Sequence, residues 1–130
     1  MSHILIVDDS PTIRRMVKAS LAGSGERLEF VEAASGLEAI ERLALDRVDL
    51  VVLDLNMPDM HGLEVLGFVR SHQKYRHVPI IVLTTRGDEA SRTAALEAGA
   101  TVYMTKPFAP DALAGEARQL LERGATAGGA

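Results

Sequence analysis

The chain contains no cysteine and no tryptophan, and its aromatics amount to two tyrosines and three phenylalanines. Without cysteine, disulfides, thiolate catalysis and thiolate metal sites are excluded together, in keeping with a cytoplasmic compartment. Positive charge is also short: 14 Lys and Arg stand against 18 Asp and Glu, a net charge of -4. That balance leaves no basic footprint for direct binding to nucleic acid or to an anionic membrane. No apolar run approaches the length of a membrane span, and Met1-Ser2-His3 leads straight into a strand instead of a signal peptide. The four histidines, His3, His61, His72 and His77, lack ligand spacing and read as surface or loop residues. What is present in quantity is aliphatic: 47% of the 130 residues are hydrophobic, enough for one domain with a real core.

That apolar content is concentrated in short runs that end in polar residues. Asp49-Leu50-Val51-Val52-Leu53 reads as a strand buried on both faces, because it is a continuous β-branched run bounded by turn residues. It stops at Asp54 and turns through Asn56-Met57-Pro58-Asp59-Met60-His61-Gly62. Asp before Pro and Gly is, taken alone, ordinary turn chemistry. The first apolar run, Ile4-Leu5-Ile6-Val7, also ends in carboxylates, Asp8 and Asp9. Three carboxylates converging on one sheet edge repel one another and call for a cation, and hard oxygen ligands favour Mg²⁺ or a similar ion.

In chain order, Ser10-Pro11 starts a helix as cap and first residue, with Ile13, Met16, Val17 and Leu21 on one apolar face. Gly23-Ser24-Gly25 is a turn. Leu28–Ala33 alternates as a second strand. Ser35-Gly36-Leu37-Glu38 caps a helix that carries Ile40, Leu43 and Ala44 inward. The third strand follows, then a helix from Gly62 to about His72 anchored by Leu66 and Val69. Val78–Thr84 is a fourth buried strand, with its proline near the start. Asp88–Ala98 is a helix closed by Gly99, Thr101–Thr105 a fifth strand, and Ala109–Arg123 a last helix with Leu113, Ala117, Leu120 and Leu121 at helical spacing. Residues 1–123 form one domain, and 124–130 are expected to be a flexible tail. Five strands alternating with five helices imply an α/β fold with a parallel sheet covered on both faces. The third and fourth strands belong in its centre and the alternating second strand at an edge.

In open parallel sheets, ligands collect beyond the carboxyl ends of the strands. There the first strand delivers Asp8 and Asp9, the third Asp54, the fourth Thr84 and the fifth Lys106. The pattern suits a phosphoryl group in transfer: Asp54 as acceptor, Asp8 and Asp9 on the metal, Thr84 as hydroxyl donor, Lys106 as positive charge.

Val7-Asp8-Asp9-Ser10, Leu53-Asp54-Leu55-Asn56-Met57-Pro58 with Gly62, Leu83-Thr84-Thr85 and Tyr103-Met104-Thr105-Lys106-Pro107-Phe108 together resemble the receiver domains of two-component response regulators, the CheY-like family, over the whole folded length. The resemblance implies a flavodoxin-like (βα)5 doubly wound sheet of order 2-1-3-4-5. It also implies a histidine kinase that donates phosphate to Asp54, and Mg²⁺ held by Asp9, Asp54 and the backbone carbonyl of Asn56, with Asp8 acting mainly through water. Thr84 and Lys106 would bind phosphoryl oxygens, Tyr103 would follow Thr84 as a switch, and Lys106-Pro107 would be cis. Asn56 and Arg86 occupy positions at the mouth of the site where family members tune hydrolysis. Output would pass to a downstream protein through the face of the fourth helix, fifth strand and fifth helix, from a monomer or weak dimer, in chemotaxis-type signalling. Members that bind the flagellar motor resemble two lysines flanking a branched apolar residue on that face; this chain has Glu89, Arg92 and Glu116 there.

Two other classes compete. Aspartyl-phosphate hydrolases of the haloacid dehalogenase type resemble Asp-x-Asp, but Asn56 holds the second position and cannot act as acid or base, which argues against turnover of external phosphoesters. A dinucleotide-binding domain would need a glycine-rich turn where Asp8-Asp9 stands. The remaining alternatives are a phosphorylation-independent scaffold of the same fold and a receiver belonging to a longer multidomain regulator.

Overall fold

The computed structural model describes residues 1–23 and 27–129, with side chains through Arg123. Five strands, β1 (Ser2–Val7), β2 (Leu28–Ala33), β3 (Leu50–Leu53), β4 (Ile80–Thr84) and β5 (Val102–Thr105), alternate with α1 (Pro11–Ala22), α2 (Gly36–Leu45), α3 (Gly62–Ser71), α4 (Glu89–Ala98) and α5 (Pro110–Gly129). The sheet is parallel throughout, in the order β2-β1-β3-β4-β5. β2 lies at an edge, β3 at the centre and β4 beside it, as the alternating and continuous apolar runs imply.

Because side chains alternate across a strand, each interior strand feeds two cores. Leu5, Val7, Val51, Leu53, Ile80 and Val82 face α2, α3 and α4, where Ala39, Leu43, Val65, Leu66, Val69 and Ala95 meet them. Ile4, Ile6, Leu50, Val52, Ile81 and Leu83 face α1 and α5, against Val17, Leu21, Leu113, Ala117 and Leu120. The expected caps are in place: the Ser10 and Ser35 hydroxyls accept from the Ile13 and Glu38 amides, and Gly99 closes α4 in the left-handed region at φ 115°.

Several expectations need correction. On α1, Met16 is exposed. On α2 the buried positions are Gly36, Ala39 and Leu43, while Ile40 is half-buried and Ala44 exposed. A stripe of apolar residues is wider than the strip a sheet can cover, so its flanks stay in water. β4 begins at Ile80, later than the expected Val78, since Pro79 has no N–H to give the ladder and the Val78 amide bonds back to Tyr75. α5 continues as helical backbone to Gly129, past the boundary expected at Arg123. Extending a helix costs far less than starting one, and the sequence after Arg123 carries no proline to stop it. The turn expected at Gly23-Ser24-Gly25 lies mostly outside the described residues. No helix among the described residues is long and apolar enough to cross a membrane.

Candidate functional site

The carboxyl ends of β1, β3, β4 and β5 finish level because the parallel ladder continues one rung beyond the strands. The Asp8 amide bonds to Ala33 O at 3.0 Å, the Asp54 amide to Val7 O at 2.9 Å, and the Lys106 amide to Thr84 O at 2.8 Å. The main chain therefore sets the aspartates and the lysine at one edge before any side chain interacts. Behind Asp54 the chain turns tightly: the Gly62 amide closes on Leu55 O at 2.9 Å. A Cβ at Gly62 would lie 2.6 Å from the Leu55 Cα, so this close approach requires glycine.

Asp8, Asp9 and Asp54 each offer a carboxylate oxygen, all within 4.8 Å of one another. Asp8 and Asp54 are buried, at 3% and 5% exposure, and Asp9 is open to solvent. Among the described residues one cation answers them: Lys106 Nζ donates to Asp8 Oδ2 at 2.7 Å and lies 3.7 Å from Asp54 Oδ2. Three carboxylates against one ammonium leave the cluster negative. Burial pushes the Asp54 carboxyl above its ordinary range; Lys106 opposes this, and the charges of Asp8 and Asp9 add to it. Exposed and buried oxygen donors gathered around one point, with charge left over, fit a hard divalent cation.

Other oxygens at this edge accept hydrogen bonds from neighbouring amides. The Ser10 amide donates to Asp8 Oδ1 at 2.9 Å, and the Asn56 amide to Asp54 Oδ1 at 3.3 Å. Thr84 is wholly buried; its hydroxyl oxygen accepts from Asn56 Nδ2 and from the Arg86 amide, both at 3.4 Å. Asn56 thus touches Asp54 through its main chain and Thr84 through its side chain. Lys106-Pro107 is cis.

Tyr103 lies on β5, partly buried against the core of the α2, α3 and α4 face, and its hydroxyl donates to the carbonyl of Arg86. It is thereby joined to the loop that leaves Thr84. Burial raises the Tyr103 hydroxyl above its usual range. Arg86 itself meets the site through its amide. Its guanidinium points to Asp88, 3.9 Å away, and not to the three aspartates. Glu89 and Arg92 are exposed on α4, and Glu116 is half-buried on α5.

One contributor escaped the sequence reading. Arg14, on α1, donates from Nη1 to the Asp8 carbonyl at 2.6 Å and from Nε to Glu32 at 2.9 Å. Lys18 completes the group at 2.9 Å from Glu32, and its hydrogen bond is the main cause that holds the Glu32 carboxyl below its ordinary range. The available signal was spacing: Arg14 and Lys18 are four apart on one helix face, while Glu32 shares a face of β2 with Phe30. What linked them to Asp8 was the β1–β2 pairing, which brings Ile6 beside Glu32.

A family model described as the response regulator receiver domain matches residues 4–118. A chemotaxis protein CheY homolog of Campylobacter jejuni is 40% identical over 128 residues, covering 98% of this chain and 98% of that one. Response regulator MprA of Mycobacterium ulcerans is 43% identical over 121 residues, which span 93% of this chain and 50% of MprA. Among solved structures, the chemotaxis response regulator CheY4 of Vibrio cholerae aligns with a TM-score of 0.82 at 36% identity, covering 92% of this chain and 98% of that one. Matches of this extent, at these identities and over the strands that carry the aspartates, mean that the chain belongs to the response regulator receiver domains of two-component signalling.

Proposed function

We propose that this receiver accepts a phosphoryl group on Asp54 from a histidine kinase in a Mg²⁺-dependent reaction, and that phosphorylation changes the face formed by α4, β5 and α5 to engage a downstream protein. The observation that carries the reading is the cluster of Asp8, Asp9 and Asp54 within 4.8 Å, answered among the described residues by Lys106 alone. The Asp9 and Asp54 carboxylates and the Asn56 carbonyl would hold the ion, with Asp8 bound through water. Bound Mg²⁺ would supply charge neutralisation between the acceptor carboxylate and the incoming phosphoryl oxygens.

Asp54 is the nucleophile. Its carboxylate oxygen forms the new P–O bond as the P–N bond of the kinase's phosphohistidine breaks, and the imidazole leaves with the electron pair. Little covalent chemistry is asked of the protein, so positioning and charge do the rest. Lys106 is already beside Asp54 and can turn from Asp8 to a phosphoryl oxygen. Thr84 offers its hydroxyl proton to another. In the unphosphorylated arrangement that hydroxyl oxygen accepts two long hydrogen bonds; a phosphoryl group gives it an anionic acceptor.

The Tyr103 bond to the Arg86 carbonyl, two residues beyond Thr84, supports a route outward. Drawing Thr84 inward displaces the Arg86 carbonyl and releases Tyr103, whose ring is free to turn into the space left behind. A ligand shifts such an equilibrium only by what it contacts differently in the two states, and the Thr84 contact supplies that difference. Residues 1–123 are the unit that carries this activity, as a monomer or weak dimer in the cytoplasm, and relatives named for chemotaxis support a role of that type. The protein signals by its phosphorylated state and does not turn over an external substrate.

The test is incubation with Mg²⁺ and acetyl phosphate followed by mass mapping. One phosphoryl group on Asp54, absent without Mg²⁺, supports the reading. Phosphate on Asp8 or Asp9, or labelling that persists without Mg²⁺, overturns it.

A further inference from the structure

The six residues between Leu55 and Gly62 carry Asn56, yet the strand and helix on either side fix only the ends of this loop. Its middle is held by Asp59, whose carboxylate reaches across 22 or 23 positions of sequence to the first turn of α2. Oδ1 accepts from the Gly36 amide and Oδ2 from the Leu37 amide, each at 3.0 Å. The next amide of that turn, Glu38, is taken by the Ser35 hydroxyl at 3.1 Å. The free amides at the start of a helix need acceptors, and a carboxylate there also meets the positive end of the helix dipole. Asp59 supplies both from a different loop.

The contact is doubled by packing. Met60 lies where a side chain on Gly36 would be: a Cβ at Gly36 would sit 2.7 Å from the Met60 Cβ and 3.2 Å from Val65. Asp59 and Met60 therefore clasp the start of α2 from two sides, one by hydrogen bonds and one by filling the glycine's vacancy. Three residues before Asp59, Asn56 holds its amide to Asp54 and its side chain to Thr84.

We propose that Asp59 is a positioning residue for phosphoryl transfer: its carboxylate latches the β3–α3 loop to the N-terminus of α2 and so holds the Asn56 main chain at the metal cluster. The inference rests on the reading above in which Asn56 contributes a ligand, and it adds a residue and a helix that touch neither metal nor phosphate. Outer residues that orient metal ligands cost about 10–100-fold in affinity when removed.

The experiment is Mg²⁺ titration of the full chain, alone and by calorimetry, for wild type, Asp59→Ala, Asp59→Asn and Gly36→Ala, with thermal unfolding of each. Asp59 is exposed, so its variants should fold. The latch predicts a dissociation constant raised about tenfold in Asp59→Ala, a smaller rise in Asp59→Asn, which keeps one acceptor oxygen, and a similar rise in Gly36→Ala, which displaces Met60 while keeping the Asp59 carboxylate and the main-chain amide it accepts from. Acetyl phosphate should label the variants at Asp54 more slowly, with the wild-type rate approached at high Mg²⁺. Wild-type affinity in Asp59→Ala would overturn the latch while leaving the proposed function intact. Absence of Mg²⁺ binding in wild type would instead overturn the proposed function and the latch with it.

Discussion

Two charges in this molecule, the half-buried Arg70 and the buried Asp54, are treated in opposite ways. Arg70, at the end of α3, has no carboxylate partner among the described residues. Its guanidinium donates to the carbonyls of Gly99 at 2.9 Å, Arg76 at 3.0 Å and Val78 at 2.6 Å, and to the Thr101 hydroxyl at 3.4 Å. Fixed dipoles satisfy it, although burial still depresses its pKa. At the other end of the sheet, Asp54 sits against Asp8 and Asp9 with Lys106 as the inner counter-charge. The first arrangement is closed and ties α3 to the strand ends and to the cap of α4. The second is left open, with charge for something from outside to neutralise. A buried ion whose hydrogen bonds are filled is structure; one whose charge is unbalanced stores free energy that a ligand can release.

The largest effect should follow from removing the open charge. Asp54→Asn should abolish phosphorylation by acetyl phosphate in Mg²⁺, read by intact mass, and labelling at wild-type rate would sink the assignment. Breaking the closed site should do the reverse. Arg70→Met strands three carbonyls, and should cost about 2 kcal/mol or more in urea unfolding, while Mg²⁺ affinity and labelling at Asp54 persist. Equal loss of metal binding would erase the contrast between the two ends.

A third outcome sharpens the role of Thr84. Thr84→Ala should still take phosphate on Asp54, yet NMR shifts at Tyr103 and α4 with beryllofluoride should shrink well below those of wild type. Equal shifts in the two proteins would exclude this route.

The pH dependence of stability follows from the raised Asp54 carboxyl. A carboxyl with a folded pKa above its ordinary 3.8 binds its proton more tightly when folded, so its contribution is present at low pH and lost as pH rises through the folded value. Without metal, Asp54→Asn should therefore unfold at a higher temperature than wild type at pH 7. The gap should close as pH falls below the ordinary aspartate range. Mg²⁺ should raise the midpoint of wild type alone, by about 2.7 kcal/mol of stability at a hundredfold excess over its Kd. A gap independent of pH would mean that charge is not its cause. The smallest effect is expected at Arg86, whose side chain pairs with Asp88. Arg86→Ala should change the decay rate of the phosphorylated state without abolishing phosphorylation, and an unchanged decay rate would confine Arg86 to its backbone contact with Thr84.

The sequence by itself determined the strands, the caps at Ser10, Ser35 and Gly99, and which residues stand at the strand ends. Continuous runs such as Leu50–Leu53 and Ile80–Thr84 can be buried only on both faces, and a chain that alternates them with helices returns every strand to the same edge. Asp8, Asp54, Thr84 and Lys106 each follow directly from that geometry, because each is one position from a strand end or on it. The tertiary structure decided what periodicity cannot express. A helical stripe gives a direction but no depth, so Met16 and Ala44, which fit their stripes, end in water. Bonds from a side chain to distant main chain leave no local pattern at all: nothing near Arg14, Asp59 or Arg70 names the Asp8 carbonyl, the Gly36 amide or the Gly99 carbonyl as its partner. Those partners exist only once strand order and helix placement have brought residues 6, 23 and 29 positions apart within hydrogen-bond reach. Main-chain donors and acceptors are alike in every residue but proline, and so their pairing is a property of the fold.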